Sequence, residues 1–323
     1  MTRSQSSIAT KVVYSLAFAV VVYVGLSLWA GFGQLREAAA QFRWSVFPII
    51  LLLACANYLI RFSKWQLYMR TLQLTVPRKE SFMIFMSGLS LSITPGKMGE
   101  VIKSYFLKKQ YGYSVATTAP MVFADRLTDM VSLVILASIG SIGFHQGQTV
   151  IWITAGLVAV LLLMIIIRPI GEGIIQLLSR WQLLRPRVHA LRELYDAAYA
   201  LLRPKRLLVP ILLSVFAWGC EAVGLYVVFL GLGVPQGVLP ALFIYSFSTI
   251  AGAVAMLPGG LGVTEGAITG LLRVLSVAPA VAALATVLIR LATLWFAVVL
   301  GTVFLVVTER AFGVDVTADE LTS

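Results

Sequence analysis

Eight ionisable side chains fall inside or at the edge of apolar stretches: Lys97, Glu100, Asp125, Arg126, Asp129, Glu221, Glu265 and Arg290. In lipid each isolated charge costs about 2.5–3.5 kcal/mol on the insertion scale. Unpaired, the set would cost on the order of 20 kcal/mol, more than a typical domain's net stability. The charges must therefore pair or face water. Spacing offers Arg126 to Asp129 at i,i+3, and Arg290 is offered to Glu221 or Glu265. Pairing alone would be structural, whereas the same groups around a cavity would hold a headgroup. Three positive charges against five negative leave −2, where a pure anion pocket would be positive. Three explanations stay open: an acid is protonated at depth, the acids meet a cationic part of a substrate, or they carry coupling protons.

Two Pro-Gly motifs flank these charges. Ser92-Ile-Thr-Pro95-Gly96-Lys97-Met98-Gly99-Glu100 stands against Ala255-Met-Leu-Pro258-Gly259-Gly260-Leu261-Gly262-Val263-Thr264-Glu265, the prolines 163 positions apart. Arg126-Leu-Thr and Arg290-Leu-Ala-Thr follow, 164 positions apart. Proline with glycine stops a helix. The half-helix after the stop begins with free N–H groups and a positive dipole end, which suit a phosphate. The candidate substrate-binding set is Arg61, Pro95, Gly96, Lys97, Gly99, Glu100, Arg126, Glu221, Pro258, Gly259, Gly260, Gly262, Glu265 and Arg290. Arg61, Lys97, Arg126 and Arg290 would engage the phosphate, and Glu100, Glu221 and Glu265 would gate, orient or take protons. Tight helix packing is the structural alternative for the glycines. Pro95-Gly-Lys-Met-Gly lacks the Gly-Lys-Ser/Thr ending of a nucleotide-binding loop. The two histidines (His145, His189) and two cysteines (Cys55, Cys220) form no metal-ligand spacing. No metal, no cofactor, no catalytic residue and no enzyme activity are expected.

The elements that position these residues follow from composition. Of 323 residues 59% are hydrophobic and 12% charged, about half the roughly 25% of a soluble domain, and mean hydropathy is +0.91. This excludes soluble, disordered and disulfide-scaffold classes and leaves an all-α integral membrane protein. A helix needs about 20 apolar residues to span. Spans are read at Val12–Phe32 (an anchor), Ser45–Arg61 and beyond, two between Ser114 and Ile167 broken at Gly143–Gly147, Leu207–Gly231 and Val281–Val307. Ser81–Lys109 and Val238–Leu275 each read as a half-helix in, a Pro-Gly turn and a half-helix out. The expected fold is six transmembrane helices plus two re-entrant helical hairpins arranged as an inverted repeat, in a single membrane domain over 1–323. Its parts are a first span and external segment (1–44), repeat A (45–144, hairpin 81–109), a span and cytoplasmic amphipathic linker (145–206), repeat B (207–307, hairpin 238–275) and a polar tail (308–323).

Charge sets the orientation. With the N-terminus in the cytoplasm, 19 of the 25 basic residues fall inside, Arg61, Lys64 and Lys103 among them. Arg36, Arg43 and Arg273 fall outside, and Lys97, Arg126 and Arg290 lie within the membrane. This positive-inside bias makes the net charge of +11 a matter of cytoplasmic loops rather than nucleic acid. Both termini are expected in the cytoplasm of a bacterial-type inner (cell) membrane, with the linker helix (Val188, Leu191, Leu194, Tyr195, Ala198, Leu202) lying on anionic headgroups.

In these motifs the chain resembles the lysylphosphatidylglycerol synthase transmembrane-region family, also described as flippase-like or UPF0104 membrane proteins. The resemblance rests on Arg61–Trp65, Thr94–Leu107, Asp125-Arg-Leu-Thr-Asp129, Leu257-Pro-Gly-Gly-Leu-Gly-Val-Thr-Glu265-Gly and Leu288-Ile-Arg290-Leu, in the family's order over nearly the whole chain. It implies a lipid flippase that moves a phosphate-bearing lipid, a phospholipid or a polyprenyl-phosphate-linked lipid, between leaflets. The soluble aminoacyltransferase domain of the multidomain members is not expected here, so the resemblance does not imply lipid synthesis. Ala124 stands where the family has a further acidic residue. Expected partners are membrane lipids with anionic headgroups and a lipid-synthesising enzyme, and no nucleic acid; the sequence leaves the oligomeric state open. The rival is a proton-coupled transporter of a small soluble solute on the same architecture.

Overall fold

The computed structural model describes residues 6–94, 101–142 and 188–314, with scattered positions between 152 and 173. Every regular element among them is helical. The first helices are α1 (Ser6–Ala30) and α2 (Phe32–Gln41), bent 91° apart at Gly31, whose φ of 80° a glycine adopts freely. Then follow α3 (Phe47–Thr71), α4 (Arg78–Ser87), α5 (Ile102–Tyr111), α6 (Val115–Gly140), α7 (Val188–Leu202), α8 (Pro204–Leu232), α9 (Val238–Val254), α10 (Val263–Val274), α11 (Pro279–Arg290) and α12 (Phe296–Phe312). A π-helical turn, Leu291–Trp295, joins α11 to α12.

Trp44–Thr71, Lys205–Leu232 and Pro279–Phe312 are long and apolar enough to cross a membrane, and the bent α1–α2 pair would make a fourth. Six spans were expected. Helix α6 has 26 residues, but every stretch of 18 in it contains Asp125, Arg126 and Asp129. The Gly143–Gly147 break and most of the expected fourth span lie outside the described residues. The second span does not stop near Arg61 but runs on to Thr71, because Arg61 and Lys64 find carboxylates inside the protein. The last span likewise extends beyond Val307 to Phe312.

The Pro-Gly regions are flanked by short helices as expected. Helix α4 tightens into a 3-10 turn at Gly88–Leu91, and α5 begins at Ile102. Pro95 to Glu100 lie outside the described residues. Helix α9 has 17 residues, about 26 Å at 1.5 Å each, short of a 30 Å hydrocarbon core. Gly259, Gly260 and Gly262, all at positive φ, turn the chain into α10. A Cβ on Gly252 of α9 would lie 2.0 Å from Thr264 Oγ1 of α10, so the two limbs close tightly there.

The connections recur along the chain. Gln73 (φ 56°) and Gly233 (φ 66°) end α3 and α8 in the left-handed region, followed by Leu74 N–H to Met69 O and Val234 N–H to Phe229 O, both 2.9 Å. Gly112 and Ser276 end α5 and α10 the same way, and α6 and α11 start 164 positions apart, at Val115 and Pro279.

Two apolar cores stack along the long helices. One gathers Ile50, Leu136, Phe229, Phe243, Ile268 and Leu288 around α9 and α10. The other gathers Tyr68, Phe85, Phe106, Met121, Leu202 and Ala297 around α4 and α5. Helix α3 runs from the first core to the second and α8 from the second to the first. Helix α6 and the α11–α12 helix are opposed in the same way. The packing is also crossed: α9 lies on α6, and α4 lies on α12. Glycine permits the second of these contacts, since a Cβ on Gly301 would sit 2.1 Å from Ser90 N. Helix α7 forms where its apolar stripe is expected, but Tyr195, Ala198 and Leu202 are buried within the protein, with α7 packed on α6.

Candidate functional site

Two buried ionic clusters occupy the crossings of these helices. The first lies between α3 and α6. Arg61 and Lys64, at i,i+3, share one face of α3, and Asp125 and Asp129, at i,i+4, share one face of α6. Lys64 Nζ stands 2.6 Å from Asp125 Oδ1, 2.7 Å from Asp129 Oδ1 and 2.6 Å from Ser214 Oγ of α8. Arg61 Nη2 donates to Asp125 Oδ2 at 2.9 Å, and Arg126 Nη2 donates to the same oxygen at 2.9 Å. Both guanidiniums lie 3.7 Å from Asp129 Oδ2. Tyr68 and Thr128 hydroxyls, 3.1 Å apart, border the cluster. Among the described residues, Arg61, Lys64 and Arg126 thus converge on the carboxylates of Asp125 and Asp129. Lys64 is fully buried and the Asp129 side chain 1% exposed, but the Arg126 side chain is 21% exposed and marks the open side.

The second cluster lies between α10 and the α11–α12 helix. Arg290 Nε donates to Glu265 Oε1 at 2.7 Å, and Arg290 Nη2 donates to Gly259 O at 2.7 Å. Glu265 Oε2 accepts the Gly262 N–H at 2.7 Å. One N–H at the start of α10, that of Gly262, is therefore already taken by an anion, because a glutamate in the first turn reaches back to cap its own helix. At the rim, Tyr23 OH stands 3.5 Å from Glu265 Oε1 and accepts the Trp295 indole N–H at 2.9 Å.

Glu221 accepts a hydrogen bond from Tyr245 OH. Between the clusters, Arg61 lies over the Trp218 ring at 6.0 Å, and Tyr58 OH donates to Thr293 O in the π turn at 3.2 Å. Of the candidate residues, Arg61 and Arg126 come together in one cluster, and Gly259, Gly262, Glu265 and Arg290 in the other. Pro258 and Gly260 shape the turn beside the second. Pro95, Gly96, Lys97, Gly99 and Glu100 lie outside the described residues. Among the described residues no three His, Cys, Asp or Glu side chains could hold a metal ion.

Sequence reasoning missed Lys64, Lys103, Ser214, Tyr23 and Trp295. It assigned Lys64 and Lys103 to the cytoplasm, and the structure buries both, Lys103 against the Trp65 and Phe85 rings. The signal for Lys64 was the complementary spacing, a basic i,i+3 pair and an acidic i,i+4 pair in two apolar helices.

The described lysylphosphatidylglycerol synthase TM region matches residues 13–301. Curated relatives agree with it. A UPF0104 membrane protein of Methanothermobacter thermautotrophicus is 26% identical over 318 residues, covering 88% of this chain and 92% of its own. One from Pyrococcus horikoshii is 25% identical, covering 87% and 94%. One from Methanocaldococcus jannaschii is 26% identical, covering 68% and 94%. From Val13 to Gly301, then, this chain belongs to the family of lysylphosphatidylglycerol synthase transmembrane regions.

Proposed function

We propose that this membrane protein is a lipid translocase that moves a phosphate-bearing lipid between leaflets, without enzyme activity of its own. The observation that carries the reading is the pair of buried arginine–carboxylate clusters at Arg126 and Arg290, 164 positions apart, on helices that run in opposite directions between the two cores. This supports an inverted repeat whose hairpins enter from opposite faces, an architecture of transporters. Charge sorting supports the orientation. Exposed Arg70, Arg78, Lys79, Lys108, Arg206 and Arg310 lie at the helix ends beside the α4–α5 core, and exposed Arg36, Arg43 and Arg273 at the opposite ends. The α4–α5 end and both chain termini are accordingly cytoplasmic, in the cell membrane.

The chemistry follows from the clusters. Guanidinium groups match phosphate geometry in a planar fork. At the first cluster's open side Arg126 presents a partly exposed guanidinium to an anion. In the second, Glu265 acts as an internal stand-in anion, and a headgroup phosphate exchanges with it on Arg290 and the α10 N-terminus. Two such sites of opposite orientation relay the headgroup across while the chains stay in lipid. A separate lipid-synthesising enzyme supplies the substrate. The test compares the lipids of each leaflet in cells with and without the protein. One phosphate-bearing lipid should accumulate in one leaflet when the protein is absent. Identical leaflets, with a soluble solute lost from uptake instead, would replace this reading with that of a solute transporter.

A further inference from the structure

We infer that the groove between α1 and the π turn is a binding site for one hydrocarbon chain of a phosphate-bearing amphiphile whose head reaches Arg290; this rests on the translocase reading and names where the lipid sits. The groove measures about 500 Å³, within the roughly 300–1,000 Å³ of ligand pockets. Val20, Val24, Leu28 and Phe32 form one wall and Leu291 the other, with buried Ala19 at the floor. Val20 is 61% exposed and Leu28 74%, so the groove opens sideways onto the apolar belt of the molecule, where acyl chains are the surrounding solvent.

Part of the lining of this apolar groove is polar. Tyr23 and Trp295 both line it, joined by the indole N–H to Tyr23 OH bond. The same hydroxyl lies 3.5 Å from Glu265, which holds Arg290. An oily trench bordered by a hydroxyl and an indole, with an arginine–carboxylate pair behind them, fits an amphiphile, with the chain outside and the anionic head inward. A partner helix would cover the walls but would leave these polar groups unused. The π turn makes the arrangement possible. It directly follows Arg290 and carries both Leu291 and Trp295, so the residue that binds the head and those that wall the chain move together. Extra residues wound into a helix of this kind recur at functional sites.

The test uses the full chain in proteoliposomes containing a phosphatidylglycerol with a diazirine at the end of one acyl chain. After illumination, peptide mapping should find adducts concentrated on Val20–Leu28 and Leu291–Trp295. Val24→Trp fills the groove from a half-exposed position and should lower labelling there about tenfold, through the lost burial of chain methylenes. A neutral diacylglycerol with the same photoprobe should label the groove several-fold less. Adducts spread over all exposed helices in proportion to their area would overturn the site. So would equal labelling by the neutral probe, or a second protein chain trapped in the groove. Labelling decides the groove and leaflet transport decides the translocase reading, so either can fail alone: groove labelling with no transport keeps the site and removes the function.

Discussion

Lys64→Met separates the structural part of the first cluster from the part assigned to substrate. Methionine matches lysine in length and removes only the ammonium. Its loss takes away contacts of 2.6 and 2.7 Å to Asp125 and Asp129 and one of 2.6 Å to Ser214. Breaking a buried ion pair costs about 3–5 kcal/mol. Here Arg61 and Arg126 still contact both aspartates, so the expected loss is near the lower end, about 3 kcal/mol. Asp129→Asn alone takes a carboxylate from Lys64 and should cost about 4–5 kcal/mol. The double variant removes one cation and one carboxylate together. It should lose about 2 kcal/mol less than the sum of the single losses, a coupling of the size seen between touching residues. The assay is reversible unfolding of the purified chain in mixed micelles, run on all four proteins of the cycle. Strictly additive losses would refute the account of Lys64 as the centre of the cluster.

Other perturbations probe other parts. Gly301→Ala should destabilise the chain by about 1–3 kcal/mol, because its Cβ meets the Ser90 backbone. Gly25→Ala, with nothing within 4 Å, should not, as the same unfolding assay would show. In a chain freed of Cys55 and Cys220, Arg206→Cys should react with an impermeant maleimide only from the cytoplasmic side and Arg36→Cys only from the other. Labelling of both from one side would undo the assigned orientation. Glu265→Gln removes the stand-in anion from Arg290. Lipid titration should show tighter phosphatidylglycerol binding by about tenfold, and leaflet transport should slow; weaker binding would contradict the exchange.

Much of the site was legible because charge in apolar sequence has few outlets. Arg290, Glu265 and the Pro258 turn were marked by type and spacing, and they do meet. Arg61 was marked, but Lys64 was taken for the charged end of a span, since counting apolar residues cannot tell a helix end from a buried ion pair. Glu265 was read as a partner of Arg290 or as a group to gate, orient or take protons, and the sequence does not reveal that its carboxylate also folds back onto Gly262 N–H. The sequence recurrence at Pro95/Pro258 and Arg126/Arg290 has no counterpart at Gln73/Gly233, where the same left-handed turn is built from different residue types. Backbone hydrogen bonds repeat there without side-chain identity. The groove depends on the 91° bend at Gly31 and on the π turn, and neither is encoded by hydrophobic periodicity.

The two arginines carry the central claim. Leaflet-resolved transport of a fluorescent phosphatidylglycerol in proteoliposomes, with wild-type protein, Arg126→Lys and Arg290→Lys, tests it most directly. Lysine keeps the charge and loses the planar fork. At Arg290 it cannot serve Glu265 and Gly259 together as the guanidinium does, at 2.7 Å each. The loss of about 1–3 kcal/mol of phosphate contact corresponds to rates lower by roughly five- to a hundred-fold. The relay predicts that transport falls in both variants while both proteins still fold, as a cooperative unfolding transition would show. Wild-type rates in either one would contradict the relay and leave that arginine as a buried ion-pair partner.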